Sequence, residues 1–301
     1  LQVFSLISPW YMQLVVDEVL ISFDTHLLTV LALGFLMVML IEVGTTALRS
    51  YVVLVFSSML SMQMATNLFR HLIRLPLPFF EKRHIGDIVS RFGSLSQIEQ
   101  FLTQGLVQAI VDGIMSIATL VMILLYSPKL ALVVMAAVTL YGLIRFAWYR
   151  PFRAINEEVI VSKAKENSNF METIRGIQSI KVFGKESQRQ VLWQNRFADT
   201  MNTGIRKSKM GIIFTSTNAL LFGIENVLVI FLAAKLVLDP TAAFSVGMMY
   251  AFMSYKQQFT GRAAALIENL IELKMLGLHL ERLGDIALEK EEAQESTQLE
   301  A

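Results

Sequence analysis

The sequence predicts an all-α membrane protein with six long transmembrane helices that extend into the cytoplasm, on three observations. The 301 residues are 54% apolar and only 17% charged, with a mean hydropathy of +0.53; soluble domains are closer to 45–50% apolar and about 25% charged. Six apolar segments recur at about 1–20, 27–48, 102–126, 130–148, 211–238 and 243–261, and a span needs about 20 apolar residues. Basic residues are segregated: 24 of the 26 Lys and Arg fall in 49–91, 145–209 and 256–301, leaving Lys129 and Lys235 for the opposite side. The positive-inside rule therefore places the two long polar excursions and the C-terminus in the cytoplasm.

The first segment is apolar to Val16 and closes on Asp17 and Glu18, before a polar loop with Asp24 and His26. The second does not stop at the membrane edge. Its helical pattern continues to Arg74, and a helix from 27 to 74 would be about 70 Å long at 1.5 Å per residue. Pro76 and Pro78 end it, since proline lacks the N–H and its ring crowds the preceding turn.

The stretch Leu75–Phe92, LPLPFFEKRHIGDIVSRF, then reads as a short knuckle between long helices, or as an ordinary proline-turn loop. Phe79 and Phe80 are expected to be gripped by a partner protein. Gly86-Asp87 is expected to supply a flexible joint and an acidic residue at a helix start.

Ile88 begins a polar approach to the third span, and Ser127-Pro128-Lys129 turns it into the fourth. The chain then stays polar from Arg150 to Lys209, with Phe152, Ile155, Val159, Phe170, Ile174 and Ile177 along one helical face and a tip at Gly184-Lys185-Glu186. Asp239-Pro240 separates spans five and six, and the sixth continues as a polar helix through Arg282. Residues 287–301 read as a charged linker, leaving 1–286 as one membrane domain.

Several chemistries are excluded or disfavoured. The segment has no cysteine, hence neither a thiol nucleophile nor a disulfide, and His26, His71, His84 and His279 lack metal-site spacing. A net charge of +1 offers no field for nucleic acid. There is no GxxxxGK[ST] phosphate loop, and GKES at Gly184–Ser187 has neither the second glycine nor the right order. The segment alone is therefore not expected to be an enzyme. Leu1 lies inside an apolar run without an initiator Met or basic leader, so the chain is taken as a piece of a longer protein.

Six spans, small outer loops and two helical cytoplasmic excursions resemble the transmembrane domain of type I ATP-binding cassette exporters. The resemblance is carried by LPLPFFEKRHIGDIVSRF, by ETIRGIQSIKVFGKE (Glu172–Glu186) and by ERLGDIALEKEE (Glu281–Glu292). With YMQLVVDEVL, the first looks like the branch that secretes bacteriocins such as colicin V, often with an N-terminal peptidase domain. The resemblance implies a coupling helix at Leu77, Pro78, Phe79, Phe80, Glu81, Lys82 and Arg83, and a second at Lys181, Val182, Phe183, Gly184, Lys185 and Glu186. It also implies a homodimer at a bacterial inner membrane, with nucleotide-binding domains binding ATP and Mg²⁺ outside residues 1–301, no cofactor on this segment, peptide cargo, and room for a periplasmic adaptor. Export would proceed by alternating access.

Charged residues at membrane depth cost about 2.5–3.5 kcal/mol on insertion scales and usually face an interior or a wet cavity. Glu42, Arg49, Asp112, Glu225 and Asn226 are accordingly candidates for a translocation path suited to a cationic peptide, with Lys256 and Arg262 near the end of span six. The alternative is that Glu42 pairs with Arg49, two turns apart, and that the others hold helices together. The methionines read as packing, and Tyr11, Tyr126 and Trp148 as interfacial anchors. A lipid or drug exporter is the alternative within the superfamily. A secondary transporter or channel fits less well, because those folds break their helices inside the membrane.

Overall fold

The computed structural model describes residues 2–83 and 85–292. His84 and most of the expected linker, from residue 293 on, lie outside the described residues. Among those described, the order is α1 (Gln2–Ser22), α2 (Thr25–Leu72), α3 (Leu77–Glu81), α4 (Ile85–Tyr126), α5 (Pro128–Ala147), α6 (Tyr149–Arg175), α7 (Ile177–Val182), α8 (Glu186–Leu238) and α9 (Val246–Ala287), with no strand.

The long second helix is observed as a single run of 48 residues, about 72 Å at 1.5 Å per residue. Asp24 starts it, its Oδ1 accepting the N–H of His26 and of Leu27 at 2.9 and 3.0 Å. Of its 48 residues only Leu68 is buried, while Leu33, Met37 and Leu40 are about three-fifths exposed. Such a face is stable in hydrocarbon and not in water.

By length and composition α1, α2, α4, α5 and α8 can each cross a membrane. The sixth predicted span opens α9, where Lys256, Gln257, Gln258 and Arg262 dilute the apolar character. It is also well packed: Ala251 and Phe252 are fully buried, and Tyr255 nearly so. A helix surrounded by other helices can carry polar residues that a lipid-facing one cannot.

The chain forms two compact units. The first holds the residues up to Phe56, Thr103–Trp148 and Phe214–Ile271; the second holds Ser57–Leu102, Tyr149–Ile213 and the chain from Glu272. In the first, Ile123, Leu130, Val134, Val229, Phe252 and Phe259 make the core. Pro9 sits inside α1 and cannot bond the Ser5 carbonyl, which instead accepts Gln258 Nε2 at 3.0 Å; next to it the Leu6 carbonyl accepts the Tyr255 hydroxyl at 2.6 Å. Ser245 caps α9 through the Met248 N–H (3.0 Å), and Asp17, in a π-type turn of α1, accepts the Gly247 N–H at 2.9 Å and the Ser245 hydroxyl. In the second unit, Leu68, Leu75, Phe79, Ile88, Leu95 and Ile286 pack together, and α4 lies along α6.

One sequence expectation is corrected here. Gly86 is not a joint: it is buried at the α4–α6 crossing, where a Cβ would stand 2.7 Å from Ser168 Cα. Its lack of a side chain permits the approach. The apolar stripe of α6 and α7 is only partly covered, with Phe152 and Ile155 half-buried but Phe170, Ile174 and Ile177 exposed.

Candidate functional site

Three polar clusters lie within the first unit. In one, Lys256 Nζ donates to Glu225 Oε2 at 2.9 Å and to Asn226 Oδ1 at 2.8 Å, with the charged side chains only 6% and 3% exposed. In the second, Arg262 Nη1 donates to Asp112 Oδ1 at 2.8 Å, Gln108 Nε2 donates to the same oxygen at 2.9 Å, and Arg49 donates to Gln108 Oε1 at 3.4 Å. In the third, Glu268 accepts from the Tyr141 hydroxyl at 2.6 Å and from Arg145 Nη2 at 2.7 Å. Each of the three carboxylates is thus matched by a cation, and Asp112 and Glu268 by a neutral donor as well, as a low-dielectric setting demands.

A groove of about 600 Å³ opens between the α4 and α9 segments of this unit. It is bordered by Gln108 and Asp112 from α4 and, from α9, by Gln257, Gln258, Gly261, Arg262, Ala265, Glu268 and Asn269.

Of the predicted path residues, Asp112 borders this groove and Arg49 reaches it through Gln108. Glu225 and Asn226 are drawn together with Lys256, away from the groove's lining. Glu42 is half-buried on α2 and makes no ion pair among the described residues, and Arg49 turns to Gln108. The Tyr141–Arg145–Glu268 cluster was missed. Arg145 inside a span was a signal, but its acceptor lies 123 residues away, and sequence spacing cannot join them.

The two expected coupling segments are both observed as short helices, in the second unit. Pro76 is extended (φ −65°, ψ 148°) and starts α3, with Pro78 at the second helical position, where a missing N–H costs nothing. Phe79 points into the chain's own core at 3% exposure rather than toward a partner. Arg83 lies over its ring at 4.0 Å, Phe80 packs edge-on at 5.3 Å, and Leu77 is two-thirds exposed. In a five-residue helix one ring must face inward to fasten it, which leaves Leu77 and the charged residues outward.

The second helix occupies Ile177–Val182, earlier than expected: of the predicted residues it holds only Lys181 and Val182, while Phe183, Gly184 and Lys185 form the turn and Glu186 begins α8. Gly184 explains the shift. At φ +61° it closes the helix with its N–H on the Lys181 carbonyl (3.3 Å) and the Lys185 N–H on the Ile180 carbonyl (3.0 Å). Val182 and Phe183 are each 74% exposed at this tip.

The end of α9 and the residues after it are fastened to the C-terminal end of α2. His71 bonds the Ile286 carbonyl and the Glu291 carboxylate at 3.0 Å each, and the Glu292 N–H reaches the Arg74 carbonyl at 3.0 Å. Beside it Asp87 pairs with Arg91 at 2.8 Å and with Arg282 at 3.6 Å, and Arg91 also pairs with Asp285. Burial lowers the Arg282 pKa, with Asp87 opposing the shift; burial first, then Arg282 and Lys207, lowers that of His279.

The chain spans about two fifths of the length of the curated relatives it matches. It is 39% identical over 293 residues to the probable microcin-H47 secretion/processing ATP-binding protein of Escherichia coli, and 37% identical to the colicin V secretion/processing ATP-binding protein of the same organism. Each match covers 97% of this chain and 42% of the relative. The alpha-hemolysin translocation ATP-binding protein of Proteus vulgaris is 27% identical, over 95% of this chain and 40% of its own. A bacterial Atm1-family ABC exporter solved with ATP bound shares the fold, with a TM-score of 0.84 at 16% identity, over 98% of this chain and 52% of its own. The ABC transporter transmembrane region matches residues 1–263, and the chain belongs to that family.

Proposed function

We propose that the chain is the membrane-spanning part of an ATP-driven exporter that moves a peptide, of the bacteriocin or toxin class, out of a bacterial cell by alternating access. The observation that carries this reading is the alignment of 97% of the chain with two bacteriocin secretion proteins. The exporter works as a homodimer in the inner membrane, with the second unit and the C-terminus on the cytoplasmic side, as the distribution of Lys and Arg supports. Leu77–Arg83 and Ile177–Glu186 are the surfaces on which nucleotide-binding domains act, and α2 and α8, helical over 48 and 53 residues, carry the displacement.

Asp112 and Arg49, with Glu42 further along α2, border the path, and Glu225, Asn226 and Lys256 brace it from within the bundle. ATP does not fit at GKES, where the N–H groups of Gly184 and Lys185, which would have to cradle phosphate, are already bound to the Lys181 and Ile180 carbonyls. Hydrolysis belongs to domains outside residues 1–301.

The test is ATP-dependent uptake of a labelled bacteriocin precursor into inverted membrane vesicles carrying the full-length protein. Uptake that needs ATP and saturates with peptide is expected. Uptake of lipids or drugs but of no peptide would replace this reading with that of a lipid or drug exporter, and uptake driven by an ion gradient without ATP would replace it with a secondary transporter.

A further inference from the structure

The groove between α4 and α9 neutralises its own charges. Asp112, 1% exposed, is held by Arg262 at 2.8 Å and by Gln108 at 2.9 Å, and Glu268 is held by Arg145 at 2.7 Å. Two carboxylates and two of the guanidiniums cancel, and the third, Arg49, stands outside the lining and is turned to Gln108, so only a small field is left to select a charged side chain. What the groove presents instead is carboxamide. Gln257 and Asn269 border it, and Gln258, whose Nε2 is committed to the Ser5 carbonyl, keeps its Oε1. A carboxamide offers one acceptor and two donors, the complement of a peptide bond's N–H and C=O. Asp112 Oδ2 adds a buried acceptor that no described group satisfies.

We propose that this groove binds the main chain of an extended, unfolded peptide through its amides, and reads side-chain charge weakly. This rests on the exporter reading above and revises the expectation of a path tuned to cationic cargo. The volume of about 600 Å³ suits a segment of a few residues. Main-chain recognition also explains an arrangement otherwise costly in a membrane: ion pairs closed on each other beside uncharged hydrogen-bonding groups.

The test is peptide binding to the detergent-solubilised full-length protein without nucleotide, by fluorescence anisotropy. Three labelled peptides of one length carry neutral, Lys-substituted and Glu-substituted side chains, and a fourth is the neutral peptide with N-methylated peptide bonds. The first three should bind within about threefold of one another. The fourth, and the neutral peptide on the Q257L/N269L protein, should bind about tenfold more weakly, the loss of two ordinary uncharged hydrogen bonds. Gln257 is exposed, and a thermal midpoint unchanged in the variant separates lost binding from lost folding. Affinity graded by charge beyond tenfold, or unchanged by N-methylation, would overturn main-chain recognition while leaving the exporter intact. Binding of none of the peptides would overturn both.

Discussion

Replacing Lys256 by methionine removes the cation from the most enclosed ion pair in the first unit and keeps the volume. Two unit charges 2.9 Å apart attract by about 6 kcal/mol at an effective dielectric of 20, a gain that desolvation largely offsets. What remains after the change is the point. Glu225, 4% exposed, is left without its counterion, and its Oε1 already has no hydrogen-bond partner. Breaking such a pair costs about 3–5 kcal/mol, whereas replacing both members is close to neutral.

K256M should therefore lower the apparent thermal midpoint of the full-length exporter by roughly 5 °C, and K256M/E225Q should recover most of that loss. Fluorescence-detected size exclusion after stepwise heating reads both. A single variant within about 2 °C of wild type, or a double variant as unstable as the single, would refute the argument that burial makes the pair conditional. Export per folded molecule is the companion measurement. If it collapses while stability holds, the pair belongs to the cargo path.

Two further outcomes follow from the second unit. G86A drives a Cβ against the Ser168 backbone, and overpacking of this kind costs about 1–3 kcal/mol; limited proteolysis should cut within Tyr149–Ile213 several-fold faster than in wild type. His279 has its pKa lowered by burial, so the unfolded chain binds more protons over the window from that lowered pKa up to the ordinary value near 6.5. Stability should rise with pH across that window, and H279L should flatten the rise in a pH series of thermal midpoints.

Composition determined the all-α membrane fold, because lipid accepts only runs of apolar helix. Proline and glycine marked the two short helices, since their backbone limits are local and need no partner. Gly184 marks the tip of the second excursion in sequence and structure alike, while the turn of helix before it, Ile177–Val182, begins ahead of the segment that the resemblance implies. The side on which Phe79 lies could not be read locally, because that depends on Leu68 and Ile286, 11 and 207 positions away.

Only the tertiary structure decided who pairs with whom. Glu42 and Arg49 share a helical face at a spacing that suggests a pair, yet Arg49 turns to Gln108 on another helix, and Glu268 finds Arg145 across 123 residues. A charge in a low-dielectric interior takes whichever partner geometry brings within about 3 Å, and chain separation has no part in that choice. The sequence supplied the charges and the helices that carry them; packing closed Asp112 and Glu268 on their own arginines and left the amides of Gln257 and Asn269 on the groove.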